Sequence, residues 1–201
     1  MFKVGVTGNI GSGKTLICQM FASLGVPIFN ADNEARRLMN SDPELQKDIC
    51  RLLGPESFID GRLNAPYISS IIFQNNRLLQ SLNVLVHPRI QKEAASWFSM
   101  LPGQIGYAIE EAALLIESGG YLLMDYIIVV TAPQEVRFER VMKRDDTSLE
   151  AVLKRNNAQM KESQKIILAD SIIVNDGSML LLPQVLKLHE KLSQLGAISP
   201  S

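Results

Sequence analysis

The sequence predicts a three-layer α/β fold built on a five-stranded parallel sheet, and three observations support this. Short, nearly continuous apolar runs recur along the 201 residues at 2–7, 26–30, 105–110, 126–131 and 171–175. Such runs suit strands covered on both faces. Helical patterns lie between them, as parallel crossovers require. The third observation is the spacing G-x-x-x-x-G-K-[ST] in Gly8-Asn9-Ile10-Gly11-Ser12-Gly13-Lys14-Thr15, directly after the first run.

The first strand, Phe2-Lys3-Val4-Gly5-Val6-Thr7, delivers the chain into that loop. Its glycines allow a tight fold around a phosphate, with backbone N–H groups turned inward. Lys14 is placed to reach the outer phosphates and the Thr15 hydroxyl to ligate Mg²⁺. Residues 16–24 read as an amphipathic helix whose N-terminus faces the anion. The chain is therefore expected to bind a nucleoside triphosphate.

Between the second and third strands the gap is too long for one crossover. Residues 33–39, 43–53, 66–73 and 75–101 carry helical patterns, punctuated by Gly54-Pro55 and Asp60-Gly61. This reads as an all-helical insertion at 33–102, with the core formed by 1–32 and 103–201. No repeat or low-complexity stretch occurs, and Ser199-Pro200-Ser201 is expected to fray.

Ligands of open α/β sheets bind beyond the carboxyl ends of the strands. Asp32, two residues past the second strand, is a candidate base for an acceptor hydroxyl; its other reading is a helix N-cap before Asn33-Glu34-Ala35. The third strand ends in Glu110-Glu111, of which alternation turns only one toward the ligand. Glu111 is the choice for an acid that holds Mg²⁺ through water, the alternative being a solvated strand-end charge. Glu117 is a second acid for the substrate rim.

After the fourth strand, Arg137, Arg140 and Arg144 recur on one helical face, and Arg155 follows on the next helix. An arginine-bearing hairpin at about 134–160 suits a lid that closes over a triphosphate, with Arg140 and Arg144 as the choices. The competing reading is a solvated basic face laced with Glu135 and Glu139. Asn175-Asp176-Gly177 is a turn whose backbone, Asn175 and Gly177 included, is placed to pass the nucleotide base. His87 and His189 stand far apart and make no metal site.

Composition narrows the partners. With 20 Lys and Arg against 21 Asp and Glu, scattered in sign, the net charge is −1 and no basic face argues for nucleic acid. Cys18 and Cys50 lack C-x-x-C spacing, so neither a disulfide framework nor zinc is implied. The N-terminus shows no signal-peptide pattern, and no apolar run approaches the roughly 20 residues of a membrane span. A cytoplasmic chain, monomeric or weakly self-associating, is expected.

With these residues in view the chain resembles the dephospho-coenzyme A kinase family, from about Val4 to the Asn175 loop. The resemblance rests on Thr7 to Thr15, Asn30-Ala31-Asp32 with Ala35-Arg36, His87-Pro88-Arg89-Ile90, Leu114-Leu115-Ile116-Glu117, Arg140 to Arg144-Asp145, Arg155 with Gln159, and Ala169-Asp170 through Asn175-Asp176-Gly177. It implies transfer of the ATP γ-phosphate to the ribose 3′-hydroxyl of dephospho-CoA. It also implies a nucleotide-kinase-like core, a helical substrate-binding insertion and a helical lid. By position, Asp32 would be the base and Gly8, Gly11, Ser12, Gly13, Lys14, Thr15 and Leu16 the triphosphate contacts. Arg36, His87, Leu114, Leu115 and Glu117 would face the acceptor.

Three positions depart from the family pattern. Asn30 stands where an Asp is usual, which removes one charge near the metal. Ala113 replaces a proline, and Leu16 replaces a hydroxyl residue while keeping its backbone N–H. The nearest rival is another small-molecule kinase of the shikimate or nucleoside type. A nucleotide-regulated binding module is the rival from a different class, although no Asn-Lys-x-Asp guanine-reading motif occurs.

Overall fold

A computed structural model of the chain describes residues 1–72, 75–102 and 106–198. The chain opens with β1 (Phe2–Thr7), α1 (Lys14–Ser23) and β2 (Ile28–Asn30). Helices α2 (Ala31–Ser41) and α3 (Pro43–Leu53), short strands β3 (Phe58–Ile59) and β4 (Arg62–Leu63), and helices α4 (Ala65–Ile72) and α5 (Asn76–Met100) follow. The remainder runs β5 (Tyr107–Glu111), β6 (Tyr126–Thr131), α6 (Gln134–Asp145), α7 (Leu149–Asn157), α8 (Glu162–Ile167), β7 (Ser171–Val174) and α9 (Leu181–Ile198). Two compact units result, Met1–Asn30 with Ser96–Ser201, and Ala31–Ala95.

In the first unit the five apolar runs form one parallel sheet in the order β2-β5-β1-β6-β7. β1 is central, with Val4 beside Ile109 of β5 and Tyr126 of β6. Burial on both faces explains the near-continuous apolar sequence. Val4, Val6, Ile128 and Val130 pack with Ile17 and Phe21 of α1 and Val185 and Leu192 of α9. On the opposite face Gly5 abuts Leu115 and Ile127, and a Cβ there would overlap Leu115. β2 starts at Ile28 rather than at 26, because Pro27 has no N–H for the ladder. Ile105, Phe73, Gly103 and the tail 199–201, where the sequence predicts a strand start, a helix end, a domain boundary and a frayed end, lie outside the described residues.

The second unit buries Leu38, Leu45, Ile49, Leu53, Ile68, Leu82 and Val86 from its helices. Asp42 caps α3, accepting from Glu44 and Leu45 N–H at 3.0 and 3.2 Å, ahead of Pro43 at the first helical position. Arg89 joins Asp42 at 3.2 Å and Asp48 at 3.1 Å. The unit is not all-helical, however. Asp60 (φ 50) and Gly61 (φ 74) both take positive φ and close a β3–β4 hairpin, the turn that Asp-Gly favours; its strands were too short to show a period.

The division between the compact units falls at 30/31 and 95/96. The last turns of α5 belong with the sheet, because Trp97 packs on Phe29 at 5.5 Å and Lys3 lies 5.5 Å over the Phe98 ring.

Candidate active site

β1 ends at Thr7 and α1 begins at Lys14, so the glycine loop must reverse the chain within residues 8–13. Asn9 C=O accepts from Ser12 N–H at 3.0 Å to close the turn. Gly11 (φ 81) and Gly13 (φ 95) hold left-handed conformations. A Cβ at Gly11 would strike the Arg137 carbonyl, and one at Gly13 the Asn175 amide. Gly13 is the N-cap of α1 and offers no side-chain acceptor, so the helix end is open to an anion. The Ser12 hydroxyl is buried without a partner. The buried Lys14 ammonium donates to Gly8 C=O at 2.9 Å, while the Leu16 side chain is exposed.

Glu111 lies opposite Thr15. The Thr15 hydroxyl donates to Glu111 Oε1 at 2.7 Å, and Asn30 Nδ2 donates to Glu111 Oε2 at 2.7 Å. Both Glu111 oxygens are thus fixed in place by hydrogen bonds. A hydroxyl and a carboxylate are the hard donors Mg²⁺ takes, usually together with substrate phosphates. Among the described residues no cluster of three or more His, Cys, Asp or Glu could hold a metal alone. Glu110 points to the other face, where burial raises its carboxyl to about 7 against a lowering pull from Lys3. Burial and the nearby Glu111 likewise push the Cys18 thiol up.

The arginines of α6 separate by depth. The Arg137 side chain is only 5% exposed, whereas that of Arg144 is 66% exposed and paired with Asp145 at 2.7 Å. Arg155 shares Asp145 at 2.8 Å. Arg140 donates from Nη2 to Asn175 Oδ1 at 3.3 Å, while its Nη1 is buried without a partner. Asn175 in turn donates to Ser12 C=O at 2.8 Å. Asn175 therefore couples the loop to Arg140 through its side chain, a role the turn reading missed. A Cβ at Gly177 (φ 87) would meet open space. The orphan Ser12 hydroxyl, the orphan Arg140 nitrogen and the uncapped helix end fit a polyphosphate.

Two residues expected at the acceptor rim have partners inside the protein. Leu115 is 1% exposed and its side chain lies against Gly5. Glu117 faces inward, its Oε1 accepting from Lys165 Nζ at 2.8 Å and from Met160 N–H at 2.9 Å. Lys165 is fully buried and needs that charge; nothing in its sequence surroundings signals this. Leu114 is half-buried. In the second unit Asp32 is exposed in the first turn of α2, Arg36 is exposed on the same helix, and His87 is half-buried on α5. Asp32 is not the N-cap, since α2 already begins at Ala31.

The chain is similar to known proteins in both sequence and fold. The family model described as dephospho-CoA kinase matches residues 2–180. A dephospho-CoA kinase from Bacteroides fragilis is 36% identical over 186 residues, 92% of this chain and 90% of that protein. The solved dephospho-CoA kinase from Campylobacter jejuni superposes with a TM-score of 0.70 at 26% identity, covering 96% of this chain and 97% of that one. A shikimate kinase from Acinetobacter baumannii shares the fold alone, with a TM-score of 0.60 at 13% identity and coverage of 97% and 94%. The chain belongs to the dephospho-CoA kinase family.

Proposed function

We propose that this chain transfers the γ-phosphate of ATP to the ribose 3′-hydroxyl of dephospho-CoA, giving CoA and ADP, the closing step of coenzyme A biosynthesis. The observation that carries the reading is the family match over residues 2–180, which takes in the phosphate loop and the whole helical unit.

The loop from Gly8 to Leu16 binds the triphosphate through backbone N–H groups and Lys14. Asp32, two residues along the chain from the Asn30 that holds Glu111, accepts the proton of the acceptor hydroxyl. Arg140 and Arg144 on the α6–α7 hairpin, acting as a lid, balance the charge that develops on the transferring group. Thr15 and Glu111 hold the magnesium ion, which when bound neutralises phosphate charge. Arg36, His87 and Leu114 line the acceptor, and Asn175 and Gly177 border the nucleotide.

The reading takes the chain as a cytoplasmic monomer or weak homo-oligomer acting on small molecules rather than nucleic acid. Its unpaired cysteines suit a reducing compartment, and among the described residues no helix is long and apolar enough to cross a membrane.

A coupled ADP-release assay comparing dephospho-CoA, shikimate and nucleosides tests the proposal. Turnover is expected with dephospho-CoA alone. Preferential turnover of shikimate or a nucleoside would establish the rival kinase reading instead.

A further inference from the structure

The tip of the phosphate loop is gripped by the same segment that bears the lid arginines. Ile10 N–H donates to Gln159 Oε1 at 2.8 Å, and Ile10 C=O accepts from Arg137 Nη1 at 3.2 Å. One residue earlier, Asn9 Nδ2 donates to Met160 C=O at 3.1 Å. The Ile10 side chain packs on the apolar cluster of Phe138, Val141 and Val152, contributed by α6 and α7. Arg137 is itself immobilised, with Nε on Ala132 C=O at 3.1 Å and Nη1 also on Asn156 Oδ1 at 3.0 Å. A single loop residue is therefore held at its N–H, its C=O and its side chain by one hairpin and the arm that follows it.

We infer that Gln159 and Arg137 are positioning residues for the phosphate loop, fixing the two peptide groups that flank the Ile10 Cα. The inference deepens the ATP-binding reading above and rests on it. Its mechanical consequence is that the α6–α7 hairpin is not a detached flap. Any swing that separates α6 and α7 from the loop must give up the Ile10 contacts, so nucleotide affinity and hairpin position are coupled. Gln159 is the sharper probe, because it supplies only an acceptor, whereas Arg137 also braces Ala132, just past β6, and Asn156 of α7.

Two measurements decide it. Hydrogen exchange on the wild-type protein without nucleotide is expected to show the Ile10 amide protected about 100-fold or more over an unstructured chain. Exchange there at the unstructured rate overturns the clamp without any mutant. The second is calorimetric titration with ATP in the absence of acceptor, so that the acceptor's identity plays no part. Gln159→Met keeps length and removes the acceptor, and is expected to weaken ATP binding about tenfold. Its KM for dephospho-CoA stays within twofold or so of wild type, since the loop and not the acceptor site is disturbed. Gln159→Glu retains an oxygen for the Ile10 N–H and is expected to recover most of the affinity at about 0.5 M salt, where its added charge is screened. Wild-type ATP affinity in Gln159→Met, or no recovery in Gln159→Glu, overturns the inference. A wild-type protein that bound no ATP would refute the kinase reading instead, and exchange at Ile10 would still settle the clamp.

Discussion

Thr15 Oγ1 and Glu111 Oε1 stand 2.7 Å apart, although 96 residues separate them in sequence. The contact exists because β5 lies beside β1 in parallel register, which brings the end of β5 level with the loop leaving β1. Asn30 adds a third member from β2, on the other side of β5. Glu111→Gln keeps the shape and removes the charge. The magnesium concentration giving half-maximal turnover is expected to rise about tenfold or more, with ATP binding in chelator little changed. A Mg²⁺ titration of the initial rate measures this, and an unchanged midpoint would remove Glu111 from the metal site.

Asp32→Ala separates transfer from binding. ATP is expected to bind as in wild type by calorimetry, while kcat falls by about 10² to 10⁴, the range supplied by a positioned base. Asp32→Asn should fall equally, because the amide cannot accept the proton. If either variant turns over near the wild-type rate, Asp32 is not the base.

The local parts of this structure were legible and the long-range partnerships were not. The glycine loop, the helix after it and the bounds of α3 follow from spacing, a Pro at the first helical position and a terminal Gly, all readable within one segment. Periodicity also put Arg137, Arg140 and Arg144 on one helix, but spacing gives the face and not the depth. Only packing buries Arg137 and leaves Arg144 in solvent. The same holds for Asn175, read as part of a turn, whose side chain bridges Ser12 and Arg140 across the sheet ends. Asp60-Gly61 reads as a turn and not as a hairpin, because the strands on either side are only two residues long.

Glu110 makes stability depend on pH. Burial holds its carboxyl at about 7 in the folded chain, above the ordinary value of 4.5. Between those values the folded state binds more protons than the unfolded one, so stability falls as pH rises across that window. The displacement corresponds to about 3 kcal/mol once both states are ionised. Glu110→Gln removes the titration and is expected to flatten that part of the profile, leaving the variant more stable than wild type above the folded value. Denaturant unfolding at a series of pH values, in chelator, checks it. An equal slope in both proteins would show that Glu110 ionises freely.

Lys165 and Glu117 form an ion pair that only one kind of double substitution should spare. Lys165 Nζ is fully buried and also donates to Ala113 C=O at 3.0 Å, so α8 is tied to the loop after β5. Lys165→Met strands the Glu117 carboxylate, and Glu117→Leu strands the ammonium; each is expected to cost about 3–5 kcal/mol. The pair Lys165→Met/Glu117→Leu buries no charge, and its cost is expected to be smaller than that of either single change. About 1–3 kcal/mol should remain, because Met160 N–H still loses its acceptor. Met160 is also the residue whose carbonyl holds Asn9, so the Glu117 variants should bind ATP less tightly than Lys165→Met does. A double-mutant cycle on unfolding free energy, with ATP affinity measured on each corner, tests both statements. Additive single costs would mean that the two charges are independently solvated and that the pair holds nothing in place.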